Sequence, residues 1–186
     1  MSMSRRKASE SSPEYPLLGF LYFQPLHGYD LHKRLESTLG EVWTLPQNQV
    51  YNILKRLECQ GYITPISGES ESHTPNKQVF TLTPAGKHHF ETWLMTPTPG
   101  SSKALRMEFI CRLFFATQIS EDLYSRLIQE QYHEIHRSVE YLKKKMEACP
   151  AEQVFNRMGL DLRIRQLIAT LEWLETFHQI CEEQLT

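Results

Sequence analysis

"LPQNQVYNILKRLECQGYI", Leu45 to Ile63, is the stretch on which the reading of this chain turns. A proline and three carboxamides stand at its front, apolar, aromatic and basic residues follow, and Gly61 comes near its end. At 100° per residue, Val50, Ile53, Leu54 and Leu57 fall at i, i+3, i+4 and i+7, so the spacing predicts a helix with one apolar stripe turned to a core. Pro46 suits the first turn of such a helix, where a missing N–H costs nothing. Gly61 predicts its end. The opposite face carries Asn48, Asn52 and Lys55, with Gln49 and Arg56 on one flank and Tyr51 on the other.

A polar helix face is most simply a solvated one. Three details favour contact with DNA. Carboxamides donate and accept together, which suits the edge of adenine in the major groove. Gln47, Asn48 and Gln49 lie in the first turn, the part of a recognition helix that enters the groove, and Asn52 follows one turn later. Lys55, Arg56 and the Tyr51 hydroxyl are suited to phosphate oxygens, contacts that position a helix without reading sequence.

The surroundings extend this reading. "PLLGFLYF" (Pro16 to Phe23) is a short, nearly all-apolar helix, and "QPLHGYD" reads as a turn. A second helix places Leu31, Leu35 and Leu39 four apart and stops at Gly40. After the third helix, "YITPI" (Tyr62 to Ile66) and the alternating "KQVFTLT" (Lys77 to Thr83) read as strands. Between them lies the polar, breaker-rich "SGESESHTPN". Thr83-Pro84 then supplies an N-cap and first helical residue for a fourth helix ending near Leu94. This order predicts a winged helix-turn-helix over residues 15–95, preceded by a disordered arm over 1–14.

"TPTPGSS" predicts a linker over 96–102. Beyond it, over 103–186, the grammar changes to long helices. "SSKALRMEFICRLFFATQ" spaces Leu105, Phe109 and Leu113 by four, and Ser120 caps a helix with an acidic first turn. Ile128, Tyr132, Ile135, Val139, Leu142 and Met146 step 4, 3, 4, 3, 4. After Cys149-Pro150, the pattern repeats at Leu160, Ile164, Leu167, Leu171, Leu174, His178 and Cys181. These are heptad seams on two helices of about 28 residues, about 42 Å long at 1.5 Å per residue. Zipping to each other in one hairpin is the simplest use of them. Leu123, Leu127, Ile168, Trp173, Phe177 and Ile180 widen the stripes beyond that need, which favours a second copy and a homodimer. The fold class expected is therefore mainly α with a small β-hairpin: a winged helix-turn-helix followed by a long antiparallel, coiled-coil-like dimerisation domain.

The motifs of the first half resemble the PadR family of transcriptional regulators. They are Gly28-Tyr29 opening helix two, Tyr51 and Leu54 to Glu58 in helix three, Gly61 after it, and Phe80, Leu82, Thr83 and Gly86 after the wing. The second half, with Arg106 to Phe109 leading into two long helices, is similar to the longer-tailed subgroup that includes virulence-gene activators. The resemblance implies a dimer on a pseudo-palindromic promoter site, its two recognition helices about one DNA turn (~34 Å) apart, and repression as the commoner role. It also implies a wing contact at Lys77 and Gln78, where the family's basic pair has kept one positive charge. Asn48 and Gln49 stand where the family often has Gly or Ser, so any base preference there belongs to this chain. Some relatives bind phenolic acids or planar drugs between the wing domain and the dimer arms, which makes a small aromatic effector a candidate partner. Trp93, Phe109, Phe114 and Phe115 could line such a cavity, although aromatics at this spacing are more often core.

Other classes fit poorly. With 40% hydrophobic and 23% charged residues the chain can bury a core. No apolar run of about 18 residues predicts a membrane span, and the start "MSMSRRKASESSPE" lacks the apolar centre of a secretory signal. A net charge of −2 excludes blanket basicity but not a local basic face. Cys59, Cys111, Cys149 and Cys181 form no C-x-x-C pair, so the setting expected is the reducing cytoplasm, with no metal or other cofactor. His133 and His136 beside Glu130 and Glu134, His88-His89, and Lys143 to Lys145 all read as solvated. Cys59, outward at the end of helix three, is a candidate for oxidation. No phosphate loop or nucleophile elbow is present, so no enzyme is expected. The competing function is a winged-helix module that holds a protein partner and never meets DNA.

Overall fold

The structure, a computed structural model, describes residues 12–66 and 78–185, with side chains in the last helix through Phe177. These residues fall into two compact units that part between Thr96 and Pro97. Most of the N-terminal arm, the loop expected over 67–76, Lys77, and the side chains of His178, Ile180 and Cys181 lie outside the described residues.

In the first unit, α1 (Glu14–Phe23) is apolar nearly all round and buries every residue from Pro16 to Leu21. A helix of that composition belongs at a centre, and α2 (Gly28–Leu39), α3 (Gln47–Cys59), α4 (Pro84–Met95) and the sheet pack on it. Leu31, Leu35 and Leu39 are buried on α2, as their spacing predicts. Gly40 stops α2 where expected, with a right-handed backbone (φ −60, ψ −33). The chain leaves α2 with the Val42 and Trp43 N–H groups both donating to the Leu39 carbonyl.

The apolar stripe of α3 is buried as predicted, at Val50, Ile53, Leu54 and Leu57. Each of these burials contributes about 1.5–3 kcal/mol, which fixes the rotation of the helix about its axis. Pro46 sits one residue earlier than expected, in the capping position with extended backbone. At the other end Gly61 adopts φ 74. Its N–H donates to the Glu58 carbonyl while the Tyr62 N–H donates to that of Leu57, both at 2.9 Å. This pair of bonds requires the left-handed conformation that glycine accepts most easily.

The expected hairpin has a third strand. β1 (Leu26–His27), β2 (Ile63–Pro65) and β3 (Val79–Leu82) form an antiparallel sheet in the order β1-β3-β2. Phe80 of β3 is buried, with Leu26 on one side and Pro65 on the other. β1 lies inside the stretch that reads as a turn, because two residues are too few to show alternation. Thr83 then caps α4, its Oγ1 accepting the Gly86 N–H at 3.1 Å and donating to the Gly61 carbonyl at 2.6 Å. The backbone of α4 thus comes so close that a Cβ on Gly86 would sit 1.9 Å from the Tyr62 carbonyl oxygen.

In the second unit, α5 (Ser102–Ala104), a π-helical turn (Leu105–Phe109) and α6 (Ile110–Ile119) follow one another directly. The wider turn brings Leu105, Glu108 and Phe109 all inward. Glu108 and Arg112, each 2% exposed, pair at 3.3 Å. Arg112 also donates to the Thr98 hydroxyl, and the Gln131 amide donates to the Thr98 carbonyl at 3.1 Å. The predicted linker therefore contains the break between units, but its Thr98 is buried and bonded within the second unit.

α7 (Glu121–Glu147) begins at Ser120, whose Oγ accepts the Leu123 N–H, and packs along α8 (Val154–Leu185). Their 27 and 32 residues correspond to about 40 and 48 Å. The residues of the two heptad seams, which also stand as candidates for dimerisation, are largely buried within this one chain. Ile128, Ile135, Val139, Leu142, Leu160, Ile164, Leu167 and Leu174 are buried, and Tyr132 and Leu171 half-buried. Near Tyr132 the inward place belongs to Gln131, whose amide is held by Thr98.

The two structural glycines make contrasting demands. Gly61→Ala meets open space but a strained φ, so thermal unfolding should show a loss of about 1–2 kcal/mol. Gly86→Ala must push backbone away from backbone and should cost more than Gly61→Ala in the same measurement.

Candidate nucleic-acid interface

The outward face of α3 gathers Gln47, Asn48, Gln49, Asn52 and Lys55, all exposed. Asn48, Asn52 and Lys55 lie within about 60° of one another opposite the buried stripe, with Gln47 and Gln49 at the two edges of that face in the first turn. Tyr51 departs from its expected role. It is half-buried, and its hydroxyl is buried with no hydrogen-bond partner among the described residues, so it does not reach outward to a phosphate. Its ring covers Gly28, where a Cβ would lie 2.6 Å from Tyr51 Cε1. That close approach explains why a glycine opens α2.

Arg56 also differs from expectation. Its Nη2 donates to Glu14 Oε2 at 2.9 Å, so a carboxylate from the start of α1 already holds it. The other Glu14 oxygen lies 3.7 Å from His89 Nε2. His89, which reads as solvated in the sequence, is stacked on Tyr62 (centroids 4.3 Å apart, planes at 4°) and on Tyr15 (5.3 Å, 30°). Tyr15 stacks in turn on Trp93 at 4.6 Å. This column ties α1, α4 and the residue before β2 together. Nothing in the sequence signals the Glu14–Arg56 pair, because its partners stand 42 residues apart.

Gln78 is half-buried beside β3, and Lys77, the other expected wing contact, lies outside the described residues. Cys59 is an exposed free thiol in the last turn of α3. His133 and His136 are exposed, and among the described residues no group of three or more His, Cys, Asp or Glu could hold a metal ion. The aromatics considered for an effector cavity pack within their own units. Trp93, Phe109 and Phe115 are buried, and half-buried Phe114 meets Phe115 edge-on at 5.0 Å. Among the described residues no helix is long and apolar enough to cross a membrane.

A helix pair joined by a turn, an outward polar second helix and a following strand pair define a winged helix-turn-helix protein. Residues 17–92 match the model of the Transcriptional regulator PadR-like family. The family's members are DNA-binding regulators, not enzymes. The negative transcriptional regulator PadR of Bacillus subtilis is 30% identical over 118 residues, 63% of this chain and 64% of its own length. The chain thus spans less than two thirds of that relative. Among solved structures, Bacillus subtilis PadR in complex with operator DNA is similar at 25% identity, covering 90% of this chain and 96% of its own, with a TM-score of 0.41. The Vibrio cholerae virulence activator AphA is similar at 20% identity, covering 93% and 99%, also with a TM-score of 0.41.

Glu14→Gln should release Arg56. In a salt titration on a random-sequence duplex, the slope of log affinity against log salt should steepen by up to about 0.9, the share of one added phosphate contact. An unchanged slope would mean that Arg56 makes no such contact even when free.

Proposed function

We propose that this chain is a cytoplasmic, homodimeric repressor that binds a pseudo-palindromic promoter site. The observation that carries the DNA reading is the outward face of α3. Asn48 and Asn52 are the base readers, Gln47 and Gln49 flank them, and Lys55 meets phosphate. Lys77 and Gln78 add a contact from the wing. Repression follows from occupying the promoter against polymerase or another factor.

The homodimer rests on a different face from the heptad seams, which the hairpin of α7 and α8 uses internally. Phe155, Met158 and Leu162 lie at i, i+3 and i+7 on the outer side of α8, and Phe155 is 86% exposed. Trp173, eleven residues beyond Leu162, falls on the same side and stacks on Phe177 at 5.3 Å. A second copy of the same stripe would cover this row about a two-fold axis.

Gel shifts with the chain's own upstream region test the DNA reading. Lys55→Ala should weaken binding to every sequence and flatten its salt dependence. Asn48→Ala and Asn52→Ala should each relax the preference at one base pair, by about 1–3 kcal/mol of discrimination. Unchanged binding in all three variants would remove α3 as the recognition helix and favour the protein-partner module. For the dimer, Phe155→Asp combined with Leu162→Asp should give a monomer by sedimentation with helix content unchanged. A dimer that survives both changes would place its interface elsewhere.

A further inference from the structure

We propose that Tyr29 and Lys33 on α2 form a second DNA-contact site, a phosphate clamp beside the recognition helix. The inference rests on the reading of α3 as a DNA-binding helix and extends that surface onto a neighbouring element.

The pair is preassembled. Lys33 Nζ lies over the Tyr29 ring, 4.7 Å from its centroid, and Tyr29 is 45% exposed although it is a large aromatic. A cation resting on a ring face one helical turn away keeps its charge outward while losing part of its rotamer freedom. The Tyr29 hydroxyl and the ammonium can then donate side by side to the oxygens of one phosphate.

The position of the pair follows from two contacts between α2 and α3. Gly28, immediately before Tyr29, lies under the Tyr51 ring on the flank of α3. His32 Nε2 is 3.0 Å from the carbonyl oxygen of Leu45, just before the capping Pro46. The same side of α2 therefore meets both the flank and the front of the recognition helix. At 100° per residue, Tyr29 lies 60° and Lys33 100° beyond His32, on the way out to solvent. They lie on the solvent side of α2, next to the side that meets α3 through Gly28 and His32. In helix-turn-helix docking the first helix crosses the DNA backbone while the second enters the groove, and this pair is what α2 offers at that crossing.

Acidic neighbours limit the site. Asp30 is 100° further round from Tyr29, and Glu36 lies on the same side one turn beyond Lys33. The clamp is thus confined to the first half of α2 and takes one phosphate rather than a run of them.

The test measures binding of the full chain to two duplexes, one from its own upstream region and one of random sequence, across a range of salt. Lys33→Ala should weaken both complexes to a similar extent and lower the salt slope by about 0.9. Tyr29→Phe, which keeps the ring under the cation, should weaken both without changing the slope. Lys55→Ala run alongside separates the two levels of the argument. If Lys55→Ala flattens the slope and Lys33→Ala does not, the clamp is overturned and the role of α3 stands. A wild-type chain that binds neither duplex overturns both. A loss confined to the upstream duplex would make Tyr29 and Lys33 sequence readers and would also overturn the clamp.

Discussion

The outward face of α3 depends on four side chains that point the other way. Val50, Ile53, Leu54 and Leu57 are buried together, and the combined value of their burial far exceeds anything the polar face could gain by turning inward. Rotation of the helix is therefore set by its core side. Its end is set by Gly61, which lets the chain reverse and deliver Tyr62 and Ile63 to the sheet. Gly86 then allows the backbone of α4 to close against Tyr62. Two glycines with different reasons thus hold the wing and α4 beside α3.

Charge is arranged with similar economy. The chain is slightly acidic as a whole, yet Lys55 stands exposed in the middle of the amide-rich face. Arg56, next to it in sequence and also exposed, is paired with Glu14 at the start of α1. In the second unit, charge is used internally: Glu108, Arg112, Thr98 and Gln131 join the π-helical turn to α7 and to the segment before α5. A buried ion pair of this kind contributes little net stability, but leaving one partner without the other is costly. That asymmetry favours one arrangement of these elements over alternatives.

The sequence showed some of this clearly and hid the rest for physical reasons. Long periodic segments were legible: the α3 stripe, the spacing of leucines on α2, the Thr83-Pro84 start of α4 and the Ser120 start of α7 all appear where their patterns place them. The two-residue β1 was not, since its strand character comes only from pairing with Phe80 and Val79. The direction of Arg56 was hidden because its partner is remote in the chain. The seams on α7 and α8 were seen, but a heptad pattern is the same whether its partner is the next helix or another molecule. At Gln131 a hydrogen bond to Thr98 outweighed the apolar claim of Tyr132. At Tyr51, an aromatic on the flank of a polar face, only the three-dimensional neighbour Gly28 shows that the ring faces protein.

Sequence-specific contact between the α3 face and DNA is the central proposal for this chain. Its most direct test is to sequence the genomic fragments retained by the purified full chain. It predicts enrichment of one short motif with two-fold symmetry, its halves one helical turn apart. Retained fragments that share no common sequence, or no retention at all, would contradict it.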